Sequence, residues 1–320
     1  MTQLQTDPAI KHLLPVCPHC GHTEYIKKEH TGNFGKIRRL RCKKCRKRYY
    51  TDAYKVDVPT HKLPRILVLD IETAPLRALV WGMWKQVVTP AQIESDWFML
   101  TWSAKWLYDD RVYSDKLTPY EAVNEDDSRI TQSIWYLVNN ADIVIAHNGR
   151  KFDMRRLNTR FLMHRIPPPL PYQMIDTLEK IKQVCDMSTY KLDEINKALG
   201  IGRKLETNID LWRGCIMGDR NSLERMEIYN REDVVILEDH YLITRPYMKS
   251  HPNLGLYTEF QGSECPTCNG KDLTFAGYYY SNVNKFRAVR CNGCGAVGRL
   301  RVSEKKDKKK SKNLVVSVAR

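Results

Sequence analysis

Residues 65–75 read RILVLDIETAP, a short run of aliphatic side chains followed by two acids. The run at 66–69 is too short for a helix and rich in branched residues, which predicts a buried β-strand. Asp70 and Glu72 stand two apart, so on a strand both carboxylates point to the same side. Such a pair stays charged only beside a cation, and oxygen ligands favour Mg²⁺ or Mn²⁺. Two solvated acids at a strand end would give the same pattern, so this stretch alone leaves both interpretations open.

Two later stretches carry acids in a matching context. Residues 143–146 (IVIA) predict a second strand, which passes through a polar turn into a helix with Asp153 near its start. Tyr229 and Asp233 stand four apart in MEIYNREDVVILEDHY, a helical pattern that places both on one helix face. We therefore expect four carboxylates and one phenol to converge: Asp70, Glu72, Asp153, Asp233 and Tyr229.

The three motifs, in this order, resemble those of the DEDD exonucleases of the tyrosine subtype. The motifs are DIET (70–73), N-x3-F-D (148–153) and Y-x3-D (229–233), and the similarity spans residues 63–245. The histidine subtype would need a histidine where this chain has Ile228. The chain looks most like the proofreading exonuclease domain of family B DNA polymerases and its stand-alone bacterial and phage relatives. The resemblance implies an α/β, ribonuclease-H-like fold with a mixed sheet and a central first strand.

The resemblance also implies a metal-dependent 3′–5′ exonuclease with a two-metal mechanism, acting on DNA in preference to RNA. It implies that Asp70, Glu72 and Asp233 hold one Mg²⁺ or Mn²⁺ ion. Asp70 would bridge to a second ion, which Asp153 reaches directly or through water. Tyr229 would orient the attacking water. Three further residues would bind the substrate end: Thr73, Asn148 and Phe152.

Charge is segregated along the chain. The 320 residues carry a net charge of +15, of which residues 1–64 and 262–320 each contribute +9, so the middle of the chain is at −3. An acidic metal-binding centre flanked by basic modules suits a polyanionic partner. Basic ends that merely aid solubility are the alternative.

Ten cysteines include four C-x2-C pairs, while Cys185 and Cys215 stand alone. In a chain without a recognisable secretion signal, paired knuckles favour metal over disulfides, and no thioredoxin-like pattern surrounds them. Two pairs separated by 21 or 22 residues provide the four thiolates of a structural zinc site. The sequence therefore predicts two zinc ribbons, each holding one Zn²⁺. Their ligands are Cys17, Cys20, Cys42 and Cys45 in the first, and Cys265, Cys268, Cys291 and Cys294 in the second.

Both ribbons combine basic and aromatic residues. The knuckle at Cys42 is followed by RKRYY, and residues 278–280 of the second ribbon are three tyrosines. Cations and exposed rings suit nucleic acid. A protein-docking role for the ribbons, and a small core for the tyrosines, stay open. For Trp81 and Trp84, core packing is favoured slightly over contact with the substrate end.

The predicted domains are an N-terminal zinc ribbon with linker (1–62), the exonuclease domain (63–256), a C-terminal zinc ribbon (257–303) and a basic tail (304–320). No stretch resembles a membrane span or signal peptide, so we expect a cytoplasmic protein, in the host cytoplasm if it is phage-encoded.

The expected partner is nucleic acid with a single-stranded or frayed 3′ end. Because no polymerase domain is apparent, a polymerase or a replication or repair protein is a possible further partner. Two other functions stay open. One is a nucleic-acid-binding or targeting protein with a non-catalytic nuclease-like scaffold. The other is a transposase-like enzyme, which would need a different acidic triad.

Overall fold

The computed structural model of the chain describes residues 25–29, 38–45, 48–51, 63–201, 207–304 and 315. The chain divides into two units, Met1–Thr60 and His61–Arg320. In the first unit three antiparallel strands form one sheet in the order β1-β2-β3. They are β1 Tyr25–Glu29, β2 Arg38–Cys42 and β3 Arg48–Thr51. The pairing of β1 with β2 is the hairpin expected between the first two cysteine pairs.

The second unit contains the predicted α/β domain and the C-terminal cysteine module. Its strands are β4 Ile66–Thr73, β5 Arg77–Ala78, β6 Ile93–Ser95, β7 Met99–Trp106, β8 Val112–Lys116, β9 Ile143–Ala146, β10 Gln173–Asp176, β11 Leu273–Tyr280, β12 Lys285–Cys291 and β13 Val297–Arg299. Its α-helices are α1 Pro119–Val123, α2 Ser128–Asn139, α3 Asp153–Met163, α4 Thr177–Lys182, α5 Leu192–Ala198, α6 Ile209–Ile216 and α7 Arg220–Thr244. No helix in the described part of the chain is long and apolar enough to cross a membrane.

A five-stranded mixed sheet has the order β10-β9-β4-β7-β8, with β4 at its centre. The strand β4 pairs antiparallel with β7 and parallel with β9, so the expectation of a central first strand is confirmed. The segment after β7 also forms a strand, β8. However, β8 pairs with β7 rather than with β4, because β9 already occupies the other edge of β4.

The alternation of β4 assigns its two faces to different helices. Leu67, Leu69 and Ile71 join the core formed with α2 and α3, whereas Ile66 and Val68 join the core that includes Val234 of α7. Asp70 and Glu72 continue the second face toward the end of the strand. Their partners on β7 are the small, buried residues Ser103 and Thr101.

The long helix α7 lies on that second face. Asp219 caps its start by accepting a hydrogen bond from the Ser222 amide at 2.8 Å. A buried ion pair between Lys105 of β7 and Glu238 fixes the helix against the sheet, and Glu238 also accepts from the Tyr108 amide at 2.9 Å. These contacts determine which residues of α7 face the end of β4.

Trp81 and Trp84 are on the surface, so the preference for core packing was wrong. Their side chains are 98% and 80% exposed. They lie between β5 and β6, which pair antiparallel and hold the intervening residues away from the core. The apolar faces of β4 and β7 are instead covered by helices, including α6, which the sequence pattern did not predict.

Buried His240 makes folding sensitive to acid. Its Nδ1 lies 2.8 Å from Oδ1 of Asn196, and its ring centroid lies 5.9 Å from that of His147. Burial, and then the nearby His147, lower the pKa of His240 from 6.5 to about 4. The folded state thus holds a neutral imidazole that the unfolded chain protonates more readily, so this contribution is complete above pH 6.5 and is lost toward pH 4.

We expect the free energy of unfolding to fall by about 3 kcal/mol over that interval because of His240 alone. Denaturant titrations of the wild type and of His240→Gln at several pH values would measure it. The variant should be less stable near neutral pH and should lose less stability on acidification. Parallel pH profiles for the two proteins would contradict the assignment.

Candidate metal centre and cysteine cluster

Three carboxylates meet where β4 approaches α7. Asp70, Glu72 and Asp233 each offer an oxygen, and these three atoms lie within 4.8 Å of one another. The strand supplies the first two because residues two apart share a face. The helix supplies the third, and Asp233 is almost fully buried. The donor set consists of carboxylate oxygens, which fits a hard divalent cation such as Mg²⁺ or Mn²⁺.

Asp153 lies next to this group rather than within it. The residue is the first of α3, and its buried Oδ1 accepts a hydrogen bond of 3.2 Å from the amide of Ile71. Ile71 is the residue between Asp70 and Glu72, so the carboxylate of Asp153 is held one backbone unit from the two strand acids. The structure thus brings three of the four predicted acids together and places the fourth beside them.

Asn230 is a site residue that the sequence analysis missed. Its Nδ2 donates a hydrogen bond of 2.7 Å to Oδ2 of Asp70, and the residue is fully buried. Asn230 precedes Asp233 by three positions, so both lie on the same face of α7. That spacing was the available signal, but only the packing of α7 on β4 shows which acid the amide reaches. Tyr229 is half-buried and packs against the core cluster to which Leu223 and Met226 of α7 also belong.

The turn of the second motif is fixed by an aspartate from another strand. Asn148 has a left-handed backbone with φ of 63°. Asp176 accepts hydrogen bonds from the amides of Asn148 and Arg150, both at 3.0 Å. Asp176 also accepts from the first amides of α4 and so caps that helix. A Cβ on Gly149 would lie 2.3 Å from that of Ala146, so the turn can approach β9 only with glycine there.

A stacked arginine joins the first two motifs. The guanidinium of Arg156 lies 4.4 Å from the ring centroid of Phe152 and 4.6 Å from that of Trp97. Arg156 also donates a hydrogen bond to the hydroxyl of Thr73. Burial lowers the pKa of Arg156, an effect that Asp153 and Asp96 oppose. Two of the three predicted substrate residues, Thr73 and Phe152, are thus held by one side chain.

An open cleft of about 370 Å³ lies along this arginine. Thr73, Pro75, Arg156, Asn208 and Trp212 are among its lining residues. The cleft combines a hydroxyl, a guanidinium and an indole. Arg156 and Trp212 had no motif to mark them, since their significance depends on α3 and α6 meeting at the end of β4.

Residues 107–242 match the family model of the RNase H superfamily. No curated protein matches the chain. The matched range contains Asp153, Tyr229 and Asp233. It begins after the first motif, which lies on the central strand β4. The mixed five-stranded sheet with helices agrees with this match, so the predicted ribonuclease-H-like α/β fold is confirmed. The chain carries an RNase H-like domain whose acidic residues could bind metal.

Four cysteines after the RNase H-like domain form a second cluster. Their sulfur atoms lie within 4.8 Å of one another. Cys265 and Cys294 are 3.6 Å apart between sulfurs, and so are Cys268 and Cys291. Disulfides need about 2.05 Å, whereas sulfurs bound at about 2.3 Å to one tetrahedral zinc are about 3.8 Å apart. The cluster and the hairpin of β11 and β12 therefore fit a zinc-ribbon-like module.

The thiols of this cluster differ in acidity. Burial raises the pKa of Cys265 and Cys268. Burial also acts to raise the pKa of Cys291, but the amides of Cys294 and Gly293 and the neighbouring thiols lower it to about 7. Backbone amides directed at the sulfur therefore favour a thiolate at Cys291, the form that binds metal.

The N-terminal cysteines can be followed only in part. Cys42 and Cys45 lie at the end of β2 and in the following turn, where the amide of Cys45 points to the sulfur of Cys42 at 3.4 Å. Cys17 and Cys20 lie outside the described residues. Zinc in the first ribbon therefore stays a prediction.

The hairpin of the C-terminal module presents aromatic rings and cations at its surface. Phe275, Tyr278 and Tyr280 are exposed. The ring centroids of Phe275 and Tyr278 are 5.3 Å apart, and those of Tyr278 and Tyr280 are 6.5 Å apart. The alternative that these tyrosines fill a small core is therefore wrong. Gly277, with φ of 94°, lies in the bulge that brings Phe275 beside Tyr278. Lys285 lies over Tyr278, with its Nζ 3.4 Å from the ring centroid.

Proposed function

We propose that this protein is a metal-dependent 3′–5′ exonuclease of the DEDD tyrosine subtype, with DNA preferred over RNA. One observation carries the proposal. The oxygens of Asp70, Glu72 and Asp233 lie within 4.8 Å of one another inside an RNase H-like domain. Three buried or half-buried carboxylates so close repel one another unless a cation lies among them. In this proposal, the cation bound in the cluster would act on a phosphodiester bond.

In this proposal Asp70, Glu72 and Asp233 would hold one divalent ion, and Asp70 would help hold a second, which Asp153 would reach directly or through water. Ions bound there supply positive charge that activates water and stabilises the leaving oxygen. Asn230 keeps the carboxylate of Asp70 in place through its 2.7 Å hydrogen bond. Tyr229 orients the attacking water.

The cleft beside Arg156 receives the terminal nucleotide. Thr73, Asn148 and Phe152 contact the 3′ end, and the guanidinium between Phe152 and Trp97 keeps the wall of the cleft rigid. Its positive charge also offsets the repulsion between the substrate phosphate and the nearby acids. Trp212 offers a ring on which the terminal base can stack.

The two zinc ribbons contact nucleic acid outside the cleft, and each holds one structural zinc ion. The support is the exposed aromatic face of the C-terminal hairpin with Lys285 and Arg287 over its rings. Rings of this kind stack on unpaired bases while the cations bind phosphates. A single strand or a frayed 3′ end is therefore the proposed substrate. A polymerase or repair partner stays a prediction.

A second candidate is a targeting protein that binds nucleic acid through its ribbons and uses the RNase H-like domain only as a scaffold. The same aromatic and basic surface favours it. The two candidates differ in whether phosphodiester bonds are broken.

A degradation ladder separates them. We expect 5′-labelled single-stranded DNA to shorten stepwise from its 3′ end with Mg²⁺ or Mn²⁺, and RNA of the same sequence to shorten more slowly. The Asp70→Ala variant should leave both strands intact while binding them. Full metal-dependent cleavage by Asp70→Ala would refute the assigned centre. Intact wild-type reactions with retained binding would favour the scaffold.

A further inference from the structure

An exposed arm projects from the RNase H-like domain between β5 and β6. Residues 79–92, termed here the tryptophan arm, are closed at their base by a 2.9 Å bond from the Leu79 amide to the Gln92 carbonyl. The side chain of Gln92 returns a 3.0 Å hydrogen bond to the Leu79 carbonyl. Below this closure, Glu125 accepts hydrogen bonds from Arg77 and from the hydroxyl of Ser95. The arm therefore has a fixed stem.

Its tip exposes large apolar side chains. Trp81 is 98% exposed, Met83 88%, Trp84 80% and Val87 85%. Four large apolar side chains exposed within seven residues favour a place where a partner binds. None of these side chains contributes to the cores that stabilise the sheet.

Both ends of the arm lead into the cleft wall. On the side before the arm, Thr73, Ala74 and Pro75 line the cleft. On the side after it, Trp97 stacks on Arg156, which lines the same cleft. The arm is thus an insertion in the wall of the cleft that the proposed function assigns to the substrate end.

The charge of the arm favours a polyanion over a protein surface of mixed charge. Residues 79–92 contain one charged residue, Lys85, and no Asp or Glu. Lys85 directly follows Trp84, so a cation stands beside an exposed indole. Bases stack on indole rings, and their phosphates attract cations.

We propose that the tryptophan arm binds unpaired bases of the strand whose end enters the cleft, through stacking on Trp81 and Trp84 and contact of Lys85 with phosphate. The inference rests on the proposed function for the direction in which the strand runs. It adds a second binding surface, next to the cleft and separate from the ribbons. The strand would be held by the arm while its end is in the cleft.

The test measures binding without cleavage. In the full chain carrying Asp233→Asn, the affinity for a short fluorescein-labelled single strand of DNA would be determined by anisotropy. Trp81→Ala with Trp84→Ala should raise Kd about tenfold or more, since stacking on two rings is lost. Trp81→Phe with Trp84→Phe should restore most of the affinity. The corresponding Leu variant, which is apolar but cannot stack, should behave like the Ala variant.

Two controls accompany it. Tyr120→Ala with Tyr247→Ala removes two exposed aromatic rings elsewhere in the chain and should leave Kd unchanged. Binding should also quench tryptophan fluorescence in the protein with both arm tryptophans, and quench it less in the Phe variant. Because the arm side chains are exposed, every variant should melt at the temperature of its parent.

The outcomes separate this inference from the proposed function. If Kd is unchanged in the Ala variant while the wild type degrades 3′ ends, nucleic-acid binding by the arm is refuted and the proposed exonuclease activity stands. If the Ala variant loses affinity and quenching while the wild type does not cleave, the arm is kept and the exonuclease is overturned. A wild-type affinity for the Leu variant would refute stacking. Conversion of a dimer to a monomer with unchanged Kd would show that a second copy occupies the arm.

Discussion

Replacing Asp233 with Asn lowers the rate of metal-dependent cleavage by about a thousandfold or more, as we expect from the loss of a charged metal ligand. Asn keeps the size of the side chain but removes its negative charge, which lies close to those of Asp70 and Glu72. The same loss of repulsion should leave the metal-free protein at least as stable as the wild type. Cleavage under single-turnover conditions, together with melting temperatures with and without Mn²⁺, measures both effects.

The matched control is Asp239→Asn, which makes the same change on the same helix at an exposed position. This variant should cleave at the wild-type rate and keep the rise in melting temperature that Mn²⁺ produces. Asp233→Asn should lose that rise. Wild-type cleavage by Asp233→Asn would show that the three-carboxylate cluster is not the metal centre.

Replacing Cys291 with Ser is expected to unfold the C-terminal module. Its core cluster consists of cysteines with Ala296 and Leu273, and Phe286 and Ala288 are buried on its hairpin, so the described module buries few large apolar side chains. Metal binding provides most of the folding energy of such modules, with apparent values of about 10–16 kcal/mol in zinc-finger peptides. We expect the variant to lose one zinc ion per chain by elemental analysis, and the amides of β11, β12 and β13 to lose protection from hydrogen exchange.

Cys185→Ser provides the control, because this cysteine belongs to neither described metal cluster. It should keep the zinc content and the exchange pattern of the wild type. The sheet around β4 should stay protected in both variants, since its cores are formed by other residues. If β11 and β12 stay protected from hydrogen exchange in zinc-free Cys291→Ser, the module folds without metal.

The two tryptophans show where pattern reading fails. Trp81 and Trp84 are large apolar residues of the kind found in cores, and nothing in the neighbouring sequence indicates their exposure. Exposure depends on whether the core has room, and helices α2, α3 and α6 already fill the apolar face of the sheet. The same limit applies to Arg156, whose role requires Phe152, Trp97 and Thr73 to meet from three separate segments.

Asp176 and Asn230 illustrate a different limit. The cap that Asp176 forms on α4 is a local contact, because it joins residues two or three apart. Its bonds to the turn at Asn148 connect residues far apart in the chain and required the parallel pairing of β9 with β10. Asn230 likewise reaches Asp70 only because α7 packs on the sheet, through its apolar residues and the buried ion pair of Lys105 with Glu238.

The sequence alone determined several elements of this protein and the faces of its first motif strand and its last helix. Alternation on β4 set Asp70 and Glu72 on one side, and helical spacing set Tyr229 and Asp233 on one helix. Cysteine spacing predicted two four-thiol groups, of which the structure describes the second. These are consequences of local backbone geometry, which a short stretch of chain fixes by itself. Tertiary structure decided the distances: three acids within 4.8 Å, Asp153 beside them on the Ile71 amide, and an arm held outside the core. Such distances depend on the packing of residues remote in sequence, which local periodicity does not encode.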